Sequence, residues 1–259
     1  LPISMRILKV ITVLRVLAAI VPGVCVWTLP ADVGYRQAAK YLGPVVLTGL
    51  RGTVWDGHAD GVSVFGRDFG ELDLHARKIQ MLRGRFVAYV RVKGTGVEIE
   101  GQVTRRDDGA DSTHDLRFSM PASLLAPALG LGSLQLLGTI SGVLTDATLA
   151  SALLNGASGH ARWIDAGVSG DVDARFSDIL ADFASQPGGS IAGTIHDDGG
   201  GALAVDGTFK ASLVGFDAQA TLRARGGNAQ VADVLRRIGE PQPDGSSRLV
   251  VHGTLLKAL

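Results

Sequence analysis

The chain has 259 residues, with 25 basic and 25 acidic side chains, a single cysteine and 35 glycines. The balanced charge gives no argument for a nucleic-acid partner, and one cysteine excludes both an intrachain disulfide and a zinc site built from several cysteines. Hydrophobic residues make up 46% of the chain but aromatic residues only 5%, so its core must consist mostly of aliphatic side chains. Glycines scattered between short apolar runs favour many short strands joined by turns.

The first thirty residues have the pattern of a membrane anchor. Arg6 and Lys9 precede an apolar run over residues 10–29, and a run of about 20 residues is what a helix needs to cross a bilayer. Arg15 lies near the amino end of that run, where its side chain can extend to the lipid headgroups. Trp27 lies at the far end, where an interfacial aromatic side chain is expected.

The residues around Cys25 favour an anchor that is not cleaved. A signal-peptidase site would show small residues in an A-x-A pattern, and residues 24–28 (V-C-V-W-T) do not have one. A lipoprotein signal would place a small residue before the cysteine, and this residue is Val24. By the positive-inside rule, we expect residues 1–30 to form a cytoplasmic tip and a transmembrane anchor in a bacterial inner membrane. Residues 31–259 would then form a periplasmic domain.

Period-two alternation dominates the rest of the chain. A short helix is predicted over residues 32–42, with Asp32 as its N-cap. Thereafter runs such as R-F-V-A-Y-V-R-V-K (residues 85–93) place apolar side chains on one face and polar side chains on the other, as in half-buried antiparallel strands. Turn signals such as Asn155-Gly156 separate these runs. The prediction is a mainly β domain, a curved antiparallel sheet or sandwich with a few short helices.

A weak internal repeat is also visible. The dipeptide Gly-Thr, followed by an apolar residue, occurs at 52–54, 138–140, 193–195, 207–209 and 253–255. Three of these copies follow a strand and a short apolar stretch, for which we predict helices over residues 121–129, 178–184 and 229–238. Such helices are too short to be stable alone, so they should cap an edge of the sheet. The pattern suggests two repeated halves, about 45–130 and 131–259.

One polar cluster raises the question of metal binding. In G-L-R-G-T-V-W-D-G-H-A-D-G-V (residues 49–62), the side chains of Asp56, His58 and Asp60 share one face of a predicted strand. Two carboxylates and an imidazole could hold a metal ion. The interpretation we favour is a solvated strand face, with Trp55 on the packed face opposite.

Searches for other chemistry find no catalytic constellation. The sequence contains no G-x-S-x-G nucleophile elbow, no phosphate-binding P-loop and no H-x-x-x-H pair among its six histidines. We therefore predict no enzymatic activity, no catalytic or metal-binding residues and no cofactor.

Three stretches of the chain carry glycine-rich motifs that together resemble a known family. Residues 50–59 read L-R-G-T-V-W-D-G-H-A, residues 81–85 read M-L-R-G-R, and residues 238–255 contain I-G-E-P, D-G and G-T-L. They resemble, in order, the G-T-apolar-W-x-G-x-A signature, the L-L-x-G-R turn and the closing L-G-x-P, D-G, G-x-L pattern of type II secretion system protein N (general secretion pathway protein N). The positions that carry the resemblance are Gly52, Thr53, Trp55, Gly57, Gly84, Gly239, Pro241, Gly245 and Gly253.

The resemblance implies an accessory component of the machine that exports folded proteins across the outer membrane. Such a component would be a single-pass inner-membrane protein that contacts other secretion subunits, in the inner-membrane platform or the secretin. A second hypothesis is a periplasmic lipid-binding or lipid-transfer module. It is motivated by the high aliphatic content over glycine-rich strands, which could line a groove for an acyl chain.

Overall fold

Strands dominate the computed structural model of the chain. It describes residues 28–64, 66–81, 86–105, 111–126, 135–150, 153–171, 173–187, 189–212 and 215–253. All sixteen strands in these ranges belong to one sheet, and every neighbouring pair is antiparallel. The mainly β, antiparallel prediction is confirmed. The sandwich alternative is wrong for this region, because hydrogen bonding is continuous through a single sheet.

The first half of the described chain enters through a short helix and builds seven strands. Its elements are α1 (Ala31–Ala38), a 3₁₀ turn (Ala39–Tyr41), β1 (Val45–Thr48), β2 (Arg51–Gly52), β3 (Asp56–Val64), β4 (Arg67–Ala76), α2 (Lys78–Met81), β5 (Phe86–Lys93), β6 (Glu98–Arg105), β7 (Asp111–Pro121) and a 3₁₀ turn (Ala122–Leu125). The N-cap of α1 is Pro30 rather than the predicted Asp32, which lies in the first helical turn and pairs with Arg36 at 3.6 Å.

The second half contains the longest strands and the longest described helix. Its elements are β8 (Gln135–Ala150), β9 (Leu153–Ser169), β10 (Ala174–Arg175), β11 (Ile179–Gln186), β12 (Ser190–Asp197), β13 (Leu203–Ala211), β14 (Phe216–Ala224), a 3₁₀ turn (Arg225–Gly227), α3 (Ala229–Ile238), β15 (Glu240–Pro241) and β16 (Ser247–Gly253). The spatial order is β1-β3-β4-β5-β6-β7-β8-β9-β11-β12-β13-β14-β16-β15, with β2 beside β3 and β10 beside β9.

The predicted cytoplasmic tip and membrane anchor, residues 1–30, lie outside the described residues apart from their last three positions, Thr28, Leu29 and Pro30. Within the ranges given above, no helix has both the length and the apolar character needed to cross a membrane.

The register aligns one apolar row across the whole sheet, which we call the inner row. Each of its members is the cross-strand partner of the next, and none is polar. The inner row runs Ala59, Leu72, Val92, Ile99, Phe118, Gly142, Ala161, Ala181, Ile195, Gly207, Ala220 and Leu249. No member is exposed. One face of the sheet is therefore lined with hydrocarbon from β3 to β16.

On each strand, one sequence neighbour of the inner-row residue lies on the opposite face of the sheet. These neighbours form a second row, which we call the outer row. It runs His58, Asp73, Arg91, Glu100, Arg117, Val143, His160, Asp182, Thr194, Thr208, Gln219 and Val250. All but the two valines are polar. Because strand side chains alternate between faces, the period-two pattern of the sequence produces one apolar and one polar face.

Glycines along the inner face make room for rings from neighbouring strands. A Cβ atom at Gly142 would lie 2.7 Å from the Phe118 ring, and one at Gly193 would lie 2.6 Å from the Phe209 ring. The ring of Phe216 covers Gly253 in the same way. Two of the repeated Gly-Thr dipeptides therefore place a glycine beneath a phenylalanine, which packs a position that would otherwise lack a side chain.

The sheet curves, and its second half encloses the main core. Leu136 of β8 and Leu222 of β14 belong to one buried cluster, although five strand spacings of about 4.8 Å separate their strands along the sheet. A flat sheet would hold them too far apart to share a core. Val231 and Val234 of α3 are 1% and 0% exposed and belong to the same cluster.

Of the three predicted short helices, the one over 229–238 is confirmed, and the one over 121–129 is confirmed in part, since residues 127–129 lie outside the described residues. The 3₁₀ turn Ala122–Leu125 follows β7 and buries Ala122. Helix α3 occupies the predicted range 229–238, with the Asn228 side chain accepting a hydrogen bond from the Val231 N–H. The third prediction, over 178–184, is wrong: residues 179–186 form strand β11. The division into halves at residue 130 stays a prediction.

A buried carboxylate ties the start of α3 to the sheet. The Asp197 side chain is 7% exposed and accepts hydrogen bonds from the Gly199 and Val205 backbone N–H groups. Arg225, in the 3₁₀ turn before α3, donates to the same carboxylate at 2.5 Å. Burial raises the pKa of Asp197, but the hydrogen bonds from Val205, Arg225 and Gly199 outweigh it, so the pKa lies below its ordinary value.

We expect Asp197→Asn to lower the free energy of unfolding by about 2 kcal/mol at pH 7, because it removes hydrogen bonds to a charged group. With a native pKa below the unfolded value, the wild-type carboxylate stabilises the fold above the ordinary Asp pKa of about 3.9. That contribution is lost as the pH falls through the lowered native pKa. Urea unfolding of the full chain at pH 7 and at successively lower pH measures both effects.

Asp206→Asn is the matched control, since Asp206 is exposed on the neighbouring strand, opposite His196, the residue before Asp197. It should change stability by less than about 0.5 kcal/mol. Equal losses in the two variants would contradict the role assigned to Asp197.

Candidate functional site

The residues of the first family motif form a tight hairpin turn rather than a continuous strand face. Gly52 has a φ of +80°, and a Cβ atom there would lie 2.3 Å from the Asp56 carbonyl oxygen. The backbone N–H of Thr53 donates to that carbonyl, and the Thr53 hydroxyl accepts from the N–H of Asp56 at 3.2 Å. Only glycine adopts this geometry at position 52 without strain. The hairpin joins β2 to β3.

This hairpin holds the segment that follows the predicted anchor. The Val54 N–H donates to the Leu29 carbonyl at 3.0 Å, and Thr53 forms a β-bridge with Pro30. Gly57 leaves room for Ala31, whose Cβ lies 3.7 Å from the place a Cβ would take at Gly57. The family motif therefore docks residues 29–31 and helix α1 onto the first strands.

Trp55 lies inside the turn and not on the strand face where we predicted it. It is 6% exposed, and its backbone carbonyl accepts a hydrogen bond from the Ala76 N–H at 2.7 Å. The side chain is therefore buried, and the backbone of Trp55 ties the hairpin to the end of β4. Its burial makes it unsuitable as a direct contact for another protein.

The closing motif builds a second hairpin that follows α3. Gly239 caps the end of that helix, and Pro241 pairs with Ser247 across the β15–β16 turn. Gly245 has a φ of +80° within this turn, and Gly253 lies beneath the Phe216 ring at the end of β16. These four residues hold α3 against the sheet. The other predicted positions, Gly84, Arg6, Lys9 and Trp27, lie outside the described residues.

The polar trio of the first motif does not converge on one point. His58 contacts Asp73 of the next strand at 2.8 Å and Asp60 at 3.4 Å, while Asp56 pairs instead with His75 at 2.6 Å. Among the described residues, no group of three or more His, Cys, Asp or Glu side chains is arranged to hold a metal ion. The trio is part of a ladder of cross-strand ion pairs on the outer face.

The neighbouring carboxylates shift the pKa of His58. A hydrogen bond with Asp73 raises the pKa of His58, partial burial lowers it, and the charges of Asp73 and Asp60 raise it further. The pKa of His58 therefore lies above its ordinary value. Asp73 and Asp60 therefore stabilise the protonated form of the imidazole.

The same ladder continues across β5, β6 and β7. The Glu100 carboxylate accepts hydrogen bonds from Arg91 at 3.0 Å and from the Tyr89 hydroxyl at 3.1 Å. Arg117 approaches it from β7 at 4.0 Å. The hydrogen bonds from Arg91 and Tyr89 lower the pKa of Glu100. This face carries paired charges in water, which favour solubility and orientation of a partner rather than catalysis.

A cavity of about 310 Å³ lies on the opposite, inner face of the second half. Strands β8 to β16 form its walls, and Leu235 and Ile238 of α3 and Leu125 of the 3₁₀ turn close one side. We call it the apolar cavity. Gln219 is the one polar residue among those that line it. The sequence predicted the helix 229–238 but not this cavity, because the strand register and the curvature of the sheet create it.

A second cavity, of about 700 Å³, lies between β4, β5 and the 3₁₀ turn. We call it the polar cavity. Its lining includes the cations Arg67 and Lys93 and the carboxylates of Asp60, Asp68 and Glu71. Leu125 lines both cavities and is 37% exposed.

Comparison with known proteins gives one match. No curated protein and no solved structure matches the chain. The family model described as type II secretion system (T2SS), protein N, matches residues 43–250, which include the first hairpin, the inner row and, apart from Val251, the lining of the apolar cavity. The matched region covers most of the chain and confirms the resemblance found in the sequence. The chain belongs to the protein N family of the type II secretion system.

Proposed function

We propose that the chain is an accessory component of the type II secretion system that supports export of folded proteins through contacts with other secretion subunits. The match of the family model over residues 43–250 carries this proposal. The described residues contribute a binding surface rather than a reaction centre, since many of their titratable groups form cross-strand ion pairs along the outer face. We propose that the chain acts by binding and not by catalysis.

Residues 1–30 are proposed to anchor the chain in the inner membrane, with Arg6 and Lys9 in the cytoplasm and the sheet in the periplasm. The apolar run 10–29 supports this arrangement. The first hairpin supports it too, because it binds the backbone of residues 29 and 30 directly. In this arrangement the β1 end of the sheet would be held close to the membrane surface.

The edges of the sheet are the proposed contact sites for partner subunits. Among the described strands, β1 pairs only with β3. Its other edge is open only in part, because the Val45 N–H already donates to the Leu42 carbonyl and the Leu47 N–H to the Tyr35 hydroxyl. Val46 of this edge strand is 49% exposed, so a partner at this edge would bury an apolar side chain.

Deletion of the gene should leave folded exoproteins in the periplasm, because a component of the export machine is missing. The measurement is the distribution of a secreted enzyme between the medium and the periplasmic fraction. The full chain supplied from a plasmid should restore secretion. Unchanged secretion in the deletion strain would contradict the proposed role.

Topology can be tested with introduced cysteines in a Cys25→Ser background, since Cys25 is the single cysteine of the chain. Asp206→Cys, on an exposed strand position, should react with a membrane-impermeant maleimide once the outer membrane is permeabilised. Ser4→Cys should react only after the inner membrane is lysed. Reaction of Ser4→Cys in intact spheroplasts would overturn the proposed orientation.

A photo-crosslinking amino acid at Val46 should join the chain to another secretion subunit in cells, because that position lies on the edge strand. The same amino acid at Thr208, exposed in the middle of the sheet, is the matched control. Mass spectrometry of the adducts identifies the partner. Equal adduct yields at the two positions, or no secretion subunit at Val46, would rule out edge contact through β1.

A further inference from the structure

The apolar cavity presents almost nothing but hydrocarbon. Gln219 has an exposed side chain, and its amide oxygen faces Arg248 on the outer surface at 3.5 Å. Trp163 brings one polar atom, and its indole N–H donates to the Leu137 carbonyl at 2.6 Å. No lining side chain is therefore left to orient a polar ligand. A site of this chemistry selects a ligand by apolar contact alone.

Small side chains create the space. Ala161, Ala181 and Ala220 of the inner row all line the cavity, and larger side chains such as Ile195 and Leu249 stand beside them as cross-strand partners. The cavity therefore follows the row from strand to strand. We call it the slot: the alanines leave space between the larger aliphatic and aromatic side chains that form most of its lining.

Helix α3 closes one side of the slot, and at Leu125 the slot adjoins the polar cavity. Leu235 of α3 is 3% exposed and forms part of the closed side. At Leu125 the apolar cavity adjoins the polar cavity, whose Arg67 and Lys93 form no ion pair within the described part of the chain. The polar cavity has both apolar and charged side chains in its lining, whereas the apolar cavity has no charged one, so the junction at Leu125 suits the two parts of an amphiphile.

We propose that the apolar cavity binds one acyl chain of a membrane lipid, with the polar end of that lipid beside Leu125. A volume of about 310 Å³ is at the small end of ligand pockets, which suits a single chain. Apolar cavities of even half this size take up apolar molecules, because their walls gain van der Waals contacts. This function is additional to the secretion role and does not depend on it.

The test uses the full chain in cells, with a photo-crosslinking amino acid at Ile195, which lines the cavity, or at the next residue, His196, which is exposed on the opposite face. After irradiation, mass spectrometry of the purified protein should show an adduct with the mass of a membrane phospholipid at position 195. Its yield should be at least about tenfold above that at position 196. Equal yields at the two positions would overturn the proposal.

A blocking variant makes the test specific. Ala181→Phe fills the slot opposite Ile195, whereas Ala184→Phe adds the same ring to the exposed face of the same strand. The first should reduce the phospholipid adduct at position 195 about tenfold, and the second should leave it unchanged. If Ala181→Phe is not folded by circular dichroism, Ala220→Leu replaces it. A phospholipid adduct that persists in a folded blocking variant would overturn the proposal.

The remaining outcomes are also decisive. A protein adduct at position 195 in place of a phospholipid adduct would show that the slot takes a peptide and would reject an acyl chain. Failure to detect any adduct at position 195 in the otherwise wild-type, folded protein would also reject the acyl-chain proposal. Because secretion is measured separately, failure of the lipid site and failure of the secretion role give different results.

Discussion

The unbroken register of the sheet is the constraint on which the rest of the structure depends. Because side chains alternate along a strand, one antiparallel register carried from β3 to β16 aligns twelve apolar residues on one face and a largely polar row on the other. A slip of one residue in any pair would interrupt both rows. The strand pairing contains bulges at Gly70 and Gly138, where the register changes by one residue; the original register is restored within the same strand pair.

An apolar face of this length has to be covered, and the chain covers it in two ways. Curvature brings β8 and β14 to a shared core, and α3 with the 3₁₀ turn Ala122–Leu125 closes that core on one side. Where backbones approach closely, glycines accept phenylalanine rings instead of adding side chains of their own. The apolar cavity is what remains between these elements. It therefore results from the same packing that stabilises the sheet.

Local patterns predicted the strands and α3, but not how they come together. The repeat predicts the helix 229–238, and the structure shows the local features that form it, an N-cap asparagine and an amphipathic run. The same repeat predicts a helix over 178–184, which is wrong because Ile179, Ala181 and Phe183 alternate as one face of strand β11. Asp56, His58 and Asp60 do lie along one strand, but their partners come from other strands, so spacing alone could not decide their role. The cavity depends on register and curvature, which no local pattern contains.

The position of the inner row connects the two proposed functions physically. The row begins at Ala59 on β3, the strand that the first hairpin ties to residues 29–31, and it reaches the apolar cavity in the second half. Five strand spacings of about 4.8 Å lie between β3 and β8, so this lining extends roughly 24 Å from the docked segment to the cavity. If residues 1–30 anchor the chain, one end of that lining is held near the bilayer. That end and the cavity share one apolar row, which is the physical link between an anchored chain and a site for an acyl chain.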